Sequence, residues 1–299
     1  MGLSITSNYS GKAAGIYVSA ALKQAKTLEF LTILENVKFK TNIQKVAGAS
    51  LIKDATCDFT DAGTLTMTEK VLTPKNLQIN VDLCKKDLLS SWEANQMGAG
   101  SFNREAPDFN SFVISYLASS IADGVEGACW SGTNAGAGSF EGFLTASTGA
   151  FAVDGGTTSS SASAAYTAGN IIANLGQLAA DIDSEVYGSE DLYLYMNKKT
   201  YRFYISAISA LSAFPFNHMG EYTPEFEGLK IAVCPGMPDN QIVAAQQSNL
   251  FFGTDLVSDH TEIRLLDMTA LDGSDNLRVV AKYSAGVQVG VGADVCVQA

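Results

Sequence analysis

The chain has 299 residues, enough for one or two domains with a substantial buried core. Charged residues make up only 17% and hydrophobic residues 46%, where an ordinary soluble domain is about a quarter charged. Such a surface is either extracellular or buried against partners, and apolar periodicity along the whole chain favours partners. A net charge of −12 excludes a dedicated nucleic-acid binder, which needs clustered Lys and Arg to neutralise phosphates.

The charge is unevenly spread. Residues 1–104 carry 12 basic and 9 acidic side chains. Between Arg104 and Lys198 there is no Lys or Arg, while eleven acids accumulate from Glu105 to Asp191. The acidic middle is either a solvated face or the seat of the mildly basic N-terminal third of a neighbouring copy, which would give an assembly electrostatic register. Cys57, Cys84, Cys129, Cys234 and Cys296 are scattered without CxxC spacing, so reduced thiols in a cytosolic setting are expected.

Taken in chain order, residues 1–12 read as an irregular arm and 20–34 as a helix, with Ala21, Ala25, Leu28, Leu31 and Ile33/Leu34 near one face. Residues 13–22 have the length of a signal-peptide core. Lys23 and Lys26 follow at once and the helical pattern continues past them, so a cleaved signal is not expected. No run is long and apolar enough for a membrane span. Val37 and Phe39 then alternate with lysines. Ala55, Cys57 and Phe59 precede the turn signal Asp61-Ala62-Gly63, and Leu65, Met67 and Val71 alternate with polar residues after it, predicting a long hairpin. Few large apolar residues flank this ribbon, so it either packs on its own domain or projects and is stabilised by another subunit. Leu77, Ile79, Val81 and Leu83 place a further strand after Pro74.

The clearest helix spans 108–131, with Asp108 as its cap and Gly132 as its stop. Asp123 and Glu126 sit near its C-terminal end, where acids oppose the macrodipole and call for a basic partner. Residues 149–165, rich in Ser, Gly, Thr and Ala, read as a linker. Beyond it the pattern predicts a helix over 168–187, a strand over 192–196, and a helix capped by Asn197 running to about 211. A loop with Phe214, Phe216 and Met219 follows, either tucked into its own core or forming an apolar contact between subunits. Strands are predicted near 229–233, 241–245, 249–252 and 262–268, with a turn at 272–275 and final strands over 277–283 and 287–297.

Chemistry is sparse. The Gly-rich stretches 132–142 and 286–292 lack the strand–loop–helix setting and the Gly-Lys-Ser/Thr ending of a phosphate loop. The isolated His260-x-Glu262 has no Pro-Cys-x-x-Cys partner, and His218 is the only other histidine. Cys234 before Pro235 reads as a buried thiol at a strand end, and Asp181 and Asp183 do not share a helix face. No catalytic residue, cofactor or metal site is expected, and the chain reads as no enzyme.

The order arm, helix, long hairpin, long helix, linker, α/β section and returning β tail resembles the HK97-type major capsid proteins of tailed bacteriophages. The likeness is most specific in Asn249-Leu-Phe-Phe-Gly-Thr-Asp-Leu256, Glu262-Ile-Arg-Leu-Leu-Asp-Met268 and the strand pattern of 276–292. The resemblance implies an α+β capsid fold with an N-terminal arm over 1–35 and an extended E-loop over 36–80. It also implies a peripheral domain over 81–149 and 255–283 around a spine helix at 108–131, and an axial α/β domain over 150–254 and 284–299. It implies a subunit that self-assembles as pentamers and hexamers into an icosahedral shell around a dsDNA genome, enclosed without sequence-specific binding.

The implied partners are further copies of the chain, with portal, scaffold and decoration proteins and no membrane. The implied place is the virion capsid, assembled in the cytoplasm of a bacterial host. The short arm leads one to expect a separate scaffold or none. Lys53, Phe59, Leu65, Met67 and Lys70 of the E-loop, Asp123 and Glu126 of the spine helix, and Phe214, Phe216 and Met219 are the candidate inter-subunit contacts. No motif identifies an acceptor Asn or catalytic acid for a Lys–Asn crosslink. An encapsulin-like nanocompartment shares the fold and is the nearest rival; a secreted surface-layer or adhesion protein and a cytosolic hydrolase are the rivals from other classes.

Overall fold

Alternation of apolar and polar residues builds a five-stranded sheet around one long strand. The structure, a computed structural model, describes residues 25–48, 52–55, 57, 63–90, 97, 107–135, 138–145, 151, 157–158, 165–210, 225–260 and 262–298. In β4 (Lys75–Cys84) the inward Leu77 and Leu83 are buried while the polar residues between them face outward. It pairs antiparallel along its full length with β12 (Asn276–Val289), from Lys75 opposite Ala285 to Cys84 opposite Asn276. The first half of β12 also carries β11 (Ile263–Asp267), and its second half pairs with β10 (Leu250–Gly253). Strand β1 (Thr32–Leu34) joins parallel to β10.

A mixed six-stranded sheet forms the second layer, in the order β5 (Thr157–Thr158), β13 (Cys296–Gln298), β9 (Ile242–Gln246), β6 (Leu192–Met196), β8 (Leu229–Val233) and β7 (Glu225–Phe226). Its central strands β6, β8 and β9 are nearly continuous runs of buried apolar residues, as strands covered on both faces must be. Leu192, Leu194 and Met196 face a core completed by α2 (Ile171–Asp181) and α3 (Lys198–Ala210). Tyr195, Ala232, Val243 and Ala245 face the opposite core with Trp130, Phe140, Phe143 and Phe252.

Helix α1 (Pro107–Ser131) links the two layers. Its 25 residues span about 37 Å at about 1.5 Å per residue. Leu117 packs with Leu83, Leu277 and Val279 under the five-stranded sheet, while Ile121, Val125, Cys129 and Trp130 run into the core of the second layer. Gly132 ends it in a tight junction, where a Cβ would overlap the carbonyl oxygen of Phe140. Asn197 caps α3, its Oδ1 accepting from the Thr200 amide at 2.7 Å.

Four expectations are corrected. The helix over 20–34 is replaced, within the described residues, by one 3-10 turn (Thr27–Phe30) followed by β1. Pairing with β10, sealed by the Thr254 amide on the Leu34 carbonyl, overrides the helical spacing. The hairpin pairs β2 (Thr41–Gly48) with β3 (Leu65–Leu72), not 55–59 with 65–71, so the connection is longer than the Asp61-Ala62-Gly63 turn alone. The helix over 168–187 shortens to α2, because Ile182 is extended and Asp183 nucleates a turn through its Oδ1 and the Glu185 amide. The strands over 277–283 and 287–297 merge in part into β12, which passes through Gly286 unbroken, bonded to β4 as far as Ala285 and to β10 from Gly286 onward.

Candidate functional site

Strands β2 and β3 form a two-stranded ribbon, eight residues in each arm. The register sets Val46 opposite Met67, Gly48 opposite Leu65, Gln44 opposite Glu69 and Asn42 opposite Val71, and directly opposite residues share a face. Every one of these residues is exposed. Val46 is 56% exposed and Leu65 and Met67 are each 62% exposed, so the face presents an apolar strip to solvent. Asn42 donates to Glu69 Oε2 at 2.9 Å and stiffens it. The opposite face carries Ile43, Lys45 and Lys70, each partly covered, and ends at the fully buried Leu72. Partial burial, and then the charge of Lys45, lowers the pKa of the Lys70 ammonium. One face of the ribbon thus carries an apolar patch bordered by the polar Asn42, Gln44 and Glu69, and the other carries Lys45 and Lys70.

Lys53, Leu65 and Met67 are exposed on or beyond the ribbon, and Lys70 and Asp123 are half-buried. Phe59, Phe214, Phe216 and Met219 lie outside the described residues. Sequence reasoning missed Val46, which completes the strip with Met67 across the register, and Phe39 and Ile52, which are also exposed. No clean signal was available, because Ile43 and Val46 are three residues apart and so fall on opposite faces of the strand.

Glu126 is a correction. Expected to meet a basic partner, it is completely buried within its own chain. Its Oε2 accepts from the Thr27 amide at 2.9 Å, and its Oε1 accepts from Thr27 Oγ1 at 2.6 Å and from the Gly236 amide at 2.9 Å. Trp130 Nε1 in turn donates to Thr27 Oγ1 at 2.9 Å. A carboxylate is held by backbone and hydroxyl donors in place of a cation. It ties the leading segment, α1 and the loop after β8 into one knot. Gly236 is obligatory there, because a Cβ would overlap the backbone carbonyl of Glu126.

The cysteines beside this knot are poor nucleophiles. Burial pushes the Cys129 thiol well above its ordinary value and the Cys234 thiol up to about 12. Among the described residues no three His, Cys, Asp or Glu side chains gather as a metal would require, and no helix is long and apolar enough to cross a membrane.

No family model matches the sequence, and no curated protein matches it. Solved structures do. A chain from the capsid of an empty GTA particle is 14% identical, with 96% of this chain and 93% of that chain covered at a TM-score of 0.67. A chain from Mycobacterium phage Ogopogo is 12% identical, covering 95% and 94% at 0.62. A chain from the capsid of the Myoviridae phage XM1 is 11% identical, covering 95% and 94% at 0.60. The likeness runs through almost the whole length of these chains, and the protein has the HK97-type capsid fold.

Proposed function

We propose that this protein is the major capsid protein of a tailed bacteriophage, the repeating subunit of an icosahedral shell. The observation that carries the reading is the ribbon: an apolar strip of Val46, Leu65 and Met67 on a face that its own chain leaves exposed. Two-stranded ribbons are marginal by themselves, and an apolar strip gains stability when a second molecule removes it from water. The strip of one subunit seats on a neighbouring subunit, and repetition of that head-to-tail contact around closed axes yields pentamers and hexamers. The full-length likeness to chains from capsids supports this over a monomeric role.

The subunit acts by association and not by catalysis. The dsDNA genome is held by confinement and counterions, and the net charge of −12 makes sequence-specific binding unnecessary and unfavourable. Portal, scaffold and decoration proteins are the further partners, and assembly takes place in the cytoplasm of the bacterial host. Electron microscopy of the expressed chain tests the proposal: closed icosahedral particles are expected, and a discrete monomer at high concentration would refute it. Shells carrying protein cargo in place of DNA, when isolated from the native source, would identify a nanocompartment instead.

A further inference from the structure

The ribbon's ties to the body gather at its base, around two glycines. Gly253 of β10 and Gly286 of β12 are directly opposite each other in the register, both buried. The fully buried Leu72, last residue of the ribbon, occupies the space above Gly253, where an added Cβ would overlap Leu72 Cδ2. Pro74, in the junction between β3 and β4, lies on Gly286. A Cβ there would come within 2.9 Å of Pro74 Cα and 3.1 Å of the Thr73 carbonyl oxygen. The Val71 carbonyl accepts from Gln288 Nε2 at 3.1 Å. The incoming leg is fixed to the same place, because the Val37 amide donates to the Thr254 carbonyl at 3.1 Å and the Asn36 amide to that of Asp255 at 2.8 Å.

Pairing of β12 with β4 ends at Ala285 and its pairing with β10 begins at Gly286. Two side-chain-free positions facing each other on adjacent strands make a notch in the sheet; the outgoing leg lies in it through Leu72 and Pro74, and the incoming leg is moored beside it at Thr254 and Asp255. We infer that the Gly253–Gly286 notch, filled by Leu72 and Pro74, is the positioning element that sets the angle at which the ribbon leaves the body, and with it the curvature of the assembly. The curvature clause rests on the shell proposed above; the angle itself does not.

Small changes in the notch are magnified along the ribbon. Arms of eight residues are about 26 Å long at about 3.3 Å per residue, so a tilt of about 10° at the base carries the far end by about 5 Å. Gly253→Ala places a methyl against the Leu72 side chain, and the leucine must leave its seat. Leu72→Ala removes the obstacle. Gly286→Ala instead meets backbone atoms of Thr73 and Pro74, which trimming Leu72 does not relieve.

The test uses spin labels on Val46→Cys in the ribbon and Glu185→Cys on the body, with Cys57 and Cys84 replaced by serine. Distances are read on dilute labelled subunits, and particle diameters by electron microscopy on the same notch variants with Val46 and the other label positions left unchanged. Gly253→Ala is expected to shift the label distance by several ångströms and change the particle diameter. The double variant Gly253→Ala/Leu72→Ala is expected to return towards the wild-type distance, whereas Gly286→Ala/Leu72→Ala stays displaced. Leu72→Ala alone is expected to broaden the distance distribution, which keeps the notch testable if Gly253→Ala does not fold. An unchanged distance in Gly253→Ala and Gly286→Ala overturns the inference, and so does a Gly253→Ala shift that Leu72→Ala fails to correct. Shifted distances with no shells from the wild-type chain would leave the notch standing and refute the shell.

Discussion

Replacing Glu126 by alanine strikes the knot that joins three separate parts of the chain. The substitution removes both carboxylate oxygens and strands three donors, the Thr27 amide and hydroxyl and the Gly236 amide, in a region where Glu126 and Thr27 are fully buried. Each donor left without a partner costs about 1–3 kcal/mol. Removing the buried charge also removes its desolvation cost, so the net loss is about 4 kcal/mol. Glu126→Gln keeps one acceptor oxygen and sets an amide group against one of the donors, for a loss of about 2 kcal/mol.

Urea unfolding with a slope of about 3 kcal/mol/M would then show the Ala midpoint lowered by about 1.3 M and the Gln midpoint by about half of that. Hydrogen exchange localises the effect: amides of 27–34 and Gly236 are expected to lose protection before the rest of the chain. A loss below about 1 kcal/mol for Glu126→Ala, or unchanged protection at Thr27 and Gly236, would refute the reasoning.

Three further outcomes are expected. The hydrogen bond from the buried Lys85, at 2.6 Å, and then the Thr269 amide hold the Asp267 carboxyl down to about 2. A depressed folded value means that its stabilisation is complete above the unfolded value near 3.8 and lost as pH falls towards 2. Melting temperatures between pH 5 and 2 should therefore fall more steeply for the wild type than for Lys85→Met, moderated because the Asp267 side chain is 37% exposed. Met67→Asp, on the uncovered ribbon face, should change subunit stability by no more than about 0.5 kcal/mol yet abolish particles in electron micrographs. Gly236→Ala should lower stability by about 2 kcal/mol or more in the same urea assay, because the added methyl meets the Glu126 backbone and not a movable side-chain end.

Much of the architecture was legible in the residues. The strands β6 and β8 emerge where expected because near-continuous apolar runs of five residues have no other stable home, and α1 because its apolar spacing persists for 25 residues with Gly132 to end it. The segment Thr32–Leu34 was not legible as a strand, since its partner lies more than 200 residues away at Phe251–Gly253. The ribbon register was missed for a related reason: Lys45 opposite Thr68 and Ile43 opposite Lys70 carry no marked pairing preference, while the nearer Ala55–Cys57–Phe59 alternation competed. Glu126 was misjudged because a carboxylate near a helix end gives no sign that donors 99 and 110 residues distant will enclose it. The shared face of Leu65 and Met67 was legible because they alternate with threonines, whatever the strand pairs with.

The shared strand β12 has a mechanical consequence. The ribbon is continuous with the start of β4, and the ten residues of β4 are laced antiparallel to β12 along their whole length. A pull on the ribbon along that axis loads the ladder in shear, where its rungs resist together, whereas peeling would break them one at a time. Tension transmitted between molecules is thereby spread through the whole five-stranded sheet, because one uninterrupted length of backbone is bonded to β4, β10 and β11 together.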